Sequence, residues 1–132
     1  MKKRLFKIVL GAAMCIIFVA CAAVTSSAQE TKRVKFAKGK SAATVKGAVL
    51  RDELITYVVN AAKGQRMNVV ITSVEKNASF WIETPDGGYL PGAGEEDDQT
   101  KWNGVLPAAG DYKIAVAPTR GNATYRMTIT IK

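Results

Sequence analysis

The chain has 132 residues, 48% of them apolar, and nineteen basic against eleven acidic side chains, a net charge of +8. This length supports one domain at most. It holds no histidine and only two cysteines, both near the start, so the commonest acid/base group and the strongest nucleophile are missing from most of it.

Residues 1–28 have the layout of an export signal. Lys2, Lys3, Arg4 and Lys7 precede an uncharged apolar run from Ile8 to Val24, and Ser26-Ser27-Ala28 supplies small residues for a cut after Ala28. The run sits at the short limit of about 17–25 residues for a membrane span, and we expect it to be removed rather than retained. A second route is a lipoprotein cut before Cys21, because Phe18-Val19-Ala20-Cys21 loosely resembles a lipobox, though without its usual leucine. That product would carry a lipid anchor at Cys21 as an outer-membrane lipoprotein; a chain beginning at Gln29 would be soluble in the periplasm or secreted. Removing residues 1–28 takes away half of the net charge and both thiols. The remaining basicity is then a poor argument for nucleic acid, and the domain must hold by packing alone in an oxidising compartment.

Residues 29–41 form a basic N-terminal segment with Lys32, Arg33, Lys35, Lys38 and Lys40. Val34 and Phe36 alternate with those charges, so Arg33–Phe36 reads as an edge strand protected by outward lysines. From residue 42 to 132 the expected strands are Thr44–Leu50, Ile55–Asn60, Met67–Ser73, Phe80–Thr84, Trp102–Leu106, Tyr112–Ala117 and Thr124–Ile131. The last alternates most cleanly, with Tyr125, Met127, Ile129 and Ile131 on one face. Glycine and proline turns separate the runs, among them Lys63-Gly64-Gln65, Pro85-Asp86-Gly87-Gly88 and Arg120-Gly121-Asn122. About eight short strands with no helical pattern predict an all-β fold, an antiparallel β-sandwich; a barrel would use the same pattern.

Candidate chemistry is sparse. Ser73-Val74-Glu75-Lys76 matches a Ser-x-x-Lys acylase pattern, but it ends a strand and its companion signatures are absent. Glu83 and Asp86 stand beside a Pro-Asp-Gly turn, where solvated carboxylates are expected rather than a glycosidase pair. The run Glu95-Glu96-Asp97-Asp98 lacks the interleaved glycine of a calcium loop and reads as a solvated tip, with contact to a basic partner as the other use. Phe80 and Ile82 oppose Trp81 along their strand, so one set faces out. Asn77-Ala78-Ser79 and Asn122-Ala123-Thr124 are acceptor sequons that matter only in a glycosylating host. No catalytic residue, metal site or cofactor emerges.

Several of these segments resemble a known family. Val34-Lys35-Phe36-Ala37-Lys38-Gly39-Lys40-Ser41, Tyr57, Ala62-Lys63-Gly64-Gln65, Leu106-Pro107-Ala108-Ala109-Gly110-Asp111-Tyr112 and Tyr125 are similar in order to the bacterial pre-peptidase C-terminal type of β-sandwich. More narrowly, they resemble the periplasmic inhibitors of g-type lysozyme. The resemblance implies a small exported non-enzyme whose partner is a lysozyme, most concretely of g-type, and whose loop residues enter the partner's cleft. Arg120 falls where the family's loop arginine lies, and a guanidinium suits bidentate pairing with a carboxylate there. Arg51 and Asp52 would join it if their loop lies at the same end. Two departures stand out: the basic loop after Arg120 is shortened to Gly121-Asn122-Ala123, and Arg51-Asp52-Glu53-Leu54 replaces a tyrosine-rich loop. The alternative function is a non-catalytic cell-envelope or carbohydrate-associating module using an exposed tryptophan.

Overall fold

The structure, a computed structural model, describes residues 29–132. Residues 1–28, read from sequence as an export signal, and the lipobox-like stretch at Cys21 lie outside the described residues. Eight strands follow in order: β1 (Gln29–Arg33), β2 (Ala42–Val49), β3 (Leu54–Ala61), β4 (Arg66–Ser73), β5 (Ala78–Glu83), β6 (Lys101–Val105), β7 (Gly110–Pro118) and β8 (Ala123–Ile131). They form two four-stranded sheets, β1-β3-β7-β5 and β2-β8-β4-β6, packed as a sandwich. Among the described residues no helix is long and apolar enough to cross a membrane.

The period-two pattern of the sequence becomes the core directly. Tyr57, Val59, Phe80, Ile82, Tyr112, Ile114 and Val116 of the first sheet face Met67, Val69, Ile71, Tyr125, Met127 and Ile129 of the second, all buried. Alternate residues of each strand point away, as two stacked sheets require. Phe80 and Ile82 take the inward face of β5, which turns Trp81 out onto the surface of the first sheet. Trp102 packs partly against the core from β6, and its indole N–H donates to the Pro91 carbonyl at 2.9 Å.

The first strand differs from the expected Arg33–Phe36. It lies upstream, at Gln29–Arg33, and pairs parallel to β3 with Gln29 opposite Leu54 and Arg33 opposite Val58. All five of its residues are exposed, so backbone bonds and not apolar side chains hold it. Val34 and Phe36 instead pack against the core as the chain leaves for the other sheet. That departure explains the parallel pairing: β1 and β3 are separated by β2 in the opposite sheet, and parallel neighbours need such a crossover. All other pairs are antiparallel.

Strand directions sort the connections into two ends. The β2–β3 (50–53), β4–β5 (74–77) and β7–β8 (119–122) loops share one end. The opposite end carries the β1–β2 (34–41), β3–β4 (62–65) and β6–β7 (106–109) connections. The motif turns lock that opposite end. Gly64 adopts φ 88°, Gln65 Oε1 accepts the Ala62 N–H at 2.7 Å, and the Tyr112 hydroxyl donates to the Ala108 carbonyl at 2.6 Å.

Candidate functional site at the loop end

The three loops at the first end are tied into one surface by a buried asparagine. Asn77, only 2% exposed, donates its side-chain N–H groups to the carbonyls of Arg120 at 3.0 Å and Asn122 at 2.9 Å. Its own carbonyl accepts the Thr119 N–H at 2.8 Å. A buried amide costs little only when it is bonded this fully. The short β7–β8 loop, with Gly121 at φ 55°, is therefore held at both ends of its arc.

The β2–β3 loop joins through Asn122, whose Oδ1 accepts the Arg51 N–H at 2.9 Å. This loop is a tight reversal in which the Glu53 N–H donates to the Leu50 carbonyl at 3.0 Å and Glu53 Oε2 accepts the Leu50 N–H at 3.1 Å. Asp52 stands at its third position with φ 64°, a left-handed conformation that aspartate tolerates better than most side chains. Arg51, Asp52 and Arg120, singled out from sequence, thus lie on one end of the sandwich.

Arg120 is exposed, and one Nη2 N–H donates to the Glu75 carbonyl at 2.6 Å. That bond steadies the guanidinium across the β4–β5 turn. No carboxylate among the described residues pairs with it. The cation therefore stands at the tip partly oriented, with guanidinium donors left over.

Two apolar residues without a functional signal in the sequence complete the surface. Leu50 is 48% exposed and Val74 is 89% exposed. They flank a shallow recess that also takes in Glu75, Asn77 and Asn122. In the sequence Leu50 reads as the end of a strand, and Val74 carries no signal beyond its place in the Ser73–Lys76 stretch. In the sequence Asn77 stands out only as part of a sequon, although its burial against two carbonyls leaves its amide committed to the fold.

The other candidates resolve into local structure. Ser73 Oγ accepts the N–H groups of Asn77 at 2.9 Å and Ala78 at 3.3 Å, so it caps the turn before β5 instead of meeting Lys76. Asp86 accepts from the Thr84 hydroxyl and the Gly88 N–H, bonds that hold its carboxyl below the usual range. Within the acidic run, Asp97 Oδ2 accepts the Gly94 N–H at 2.7 Å, and Glu95 faces the Tyr89 hydroxyl at 3.4 Å.

The chain matches no protein-family model and no curated protein. Among solved structures it is similar to Aeromonas hydrophila PliG, a periplasmic lysozyme inhibitor of g-type lysozyme, at 32% identity and TM-score 0.67, covering 79% of this chain and 97% of that one. The Salmonella Typhimurium inhibitor of the same description is 28% identical with TM-score 0.60, covering 78% of this chain and 98% of its own. The pre-peptidase C-terminal domain of a Bacillus anthracis collagenase, at 17% identity and TM-score 0.60, covers 81% of this chain and 99% of its own; it shares the fold.

Proposed function

Because the chain belongs to the family of periplasmic inhibitors of g-type lysozyme, we propose that it binds and inhibits a lysozyme, of g-type, by inserting the loop end into the enzyme's cleft. Arg120 is the anchor, Arg51 and Asp52 contribute from the neighbouring loop, and Leu50 and Val74 supply the apolar contact around them. The carrying observation is the pairing of rigidity with exposure. The loops that hold these residues are cross-bonded through Asn77 and Asn122, while the side chains offered to a partner are open.

The mechanism is occlusion. A pre-bonded loop loses little entropy on docking, which favours affinity. Its guanidinium can pair with a carboxylate that the lysozyme uses on its substrate, and a cleft filled this way excludes the glycan. The protein breaks no bond itself and uses no cofactor or metal. Its place of work is the periplasm, reached through the export signal of residues 1–28, with lipid attachment at Cys21 as the alternative route.

The test is hydrolysis of bacterial cell walls by purified g-, c- and i-type lysozymes with the protein in molar excess. Selective loss of g-type activity supports the reading, and undiminished activity of all three overturns it. A second reading, a saccharide-associating module, draws on Trp81, which faces outward beside Tyr89 on the first sheet. A tryptophan fluorescence change with peptidoglycan fragments and none with lysozyme would favour it.

A further inference from the structure

We propose that the outer face of the β2-β8-β4-β6 sheet is a docking surface for an anionic lipid leaflet. The four strands of this sheet contain none of the eleven acidic residues of the chain. Four cations, Lys46, Arg66, Lys101 and Arg126, are exposed, one from each strand.

The arrangement runs against the rule that stabilises sheets. Lys46 lies directly opposite Arg126, and like charges in cross-strand register repel. No acid offsets them, since both salt bridges among the described residues, Lys32–Glu30 and Arg33–Asp111, belong to the first sheet. A fold that accepts such a conflict without compensation commonly does so where it works. An external layer of negative charge turns the repulsion into attraction.

The shape selects the occupant. The cations are spread over a face of four paired strands, about 15 Å across at ordinary strand spacing, and its two open recesses, one bordered by Lys46 and Arg126 and the other by Arg66 and Lys132, divide the charge instead of gathering it around one small anion. Between them stand threonines at 44, 72, 124, 128 and 130, short hydroxyl-bearing side chains. At its edge Val105 is 56% exposed. A broad surface of one sign with an apolar margin complements the headgroup plane of an anionic phospholipid. The face lies along the side of the sandwich, so the loop end remains open when it is occupied. The inference stands independently of the inhibitor reading.

The experiment is flotation of the purified protein with phosphatidylcholine vesicles with and without phosphatidylglycerol. Comparing the two compositions cancels any contribution from a lipid at Cys21. Expected are preferential binding to the anionic vesicles and release in 1 M salt, where the screening length falls to about 3 Å. The double variant Lys46→Gln/Arg126→Gln should lower the partition coefficient about 25-fold, roughly fivefold for each cation removed. It should melt no lower than the parent, because it removes a repulsive pair. Lys113→Gln, on the other sheet, should leave partitioning unchanged. Equal binding to both vesicle types, equal loss in Lys113→Gln, or binding to a soluble polyanion with no binding to anionic vesicles would each overturn the proposal.

Discussion

The side chain of Asn77 is hydrogen-bonded to the backbone of Arg120, at 3.0 Å, across 43 residues of sequence. A residue only 2% exposed is thereby bonded directly to the backbone that carries the loop-end cation Arg120.

Replacing that amide separates positioning from contact. Asn77→Ala leaves the Arg120 and Asn122 carbonyls without their partner and should cost about 2 kcal/mol of stability. Urea denaturation checks the stability, and lysozyme inhibition should weaken although Asn77 touches no partner. Asn77→Asp should be worse, since it sets an oxygen against two carbonyl oxygens.

Arg120→Ala should behave in the opposite way. Its side chain is exposed and makes one backbone contact, so unfolding should shift by no more than about 0.5 kcal/mol. Affinity for g-type lysozyme, measured by titration calorimetry, should fall by about 2 kcal/mol or more if the guanidinium is an anchoring contact. Arg120→Lys should restore little, because an ammonium cannot supply the planar fork.

Gly47 is required by a neighbour and not by its own backbone. A Cβ there would lie 2.7 Å from the Tyr125 hydroxyl, which is itself bonded to the Tyr57 hydroxyl at 2.5 Å in an edge-to-face pair. Gly47→Ala should therefore destabilise the protein by about 1–3 kcal/mol in urea melts. Burial and this bond push the Tyr125 phenol well above its ordinary range, and alkaline difference absorbance should show this phenol resisting ionisation.

Acid should loosen the first strand. Arg33 donates to both oxygens of Asp111, at 2.8 and 3.2 Å, and Asn60 adds a third bond at 3.0 Å. These bonds lower the Asp111 carboxyl to about 2, the Arg33 bond most of all. A depressed carboxyl contributes stability above its unfolded value near 4 and loses it as pH falls toward about 2. Amide exchange in residues 29–33 should accelerate over that interval, and Arg33→Gln should move the Asp111 titration upward in NMR.

The strands with one wet face were legible because burial imposes a period of two on side-chain chemistry. In β8 every second residue from Ala123 to Ile131 is buried. β1 lies upstream of the Arg33–Phe36 pattern because its pairing rests on the backbone, while Val34 and Phe36, which look like strand residues, pack at the chain's departure. The shared end of Arg51 and Arg120 was conditional in the sequence for a topological reason. Simple up-and-down alternation puts their loops at opposite ends. The long 84–100 connection runs back along the sandwich, so β5 and β6 point the same way and the later loops exchange ends. Asn77 was invisible because its burial depends on chain that returns from far along the sequence, and no local pattern marks such a contact.

Hydrogen exchange of this protein with and without saturating g-type lysozyme tests the occlusion account most directly. Protection gained in residues 50–53, 74–77 and 119–122 is the predicted footprint. A footprint on the 62–65 and 106–109 turns, with the loop end unchanged, would contradict it.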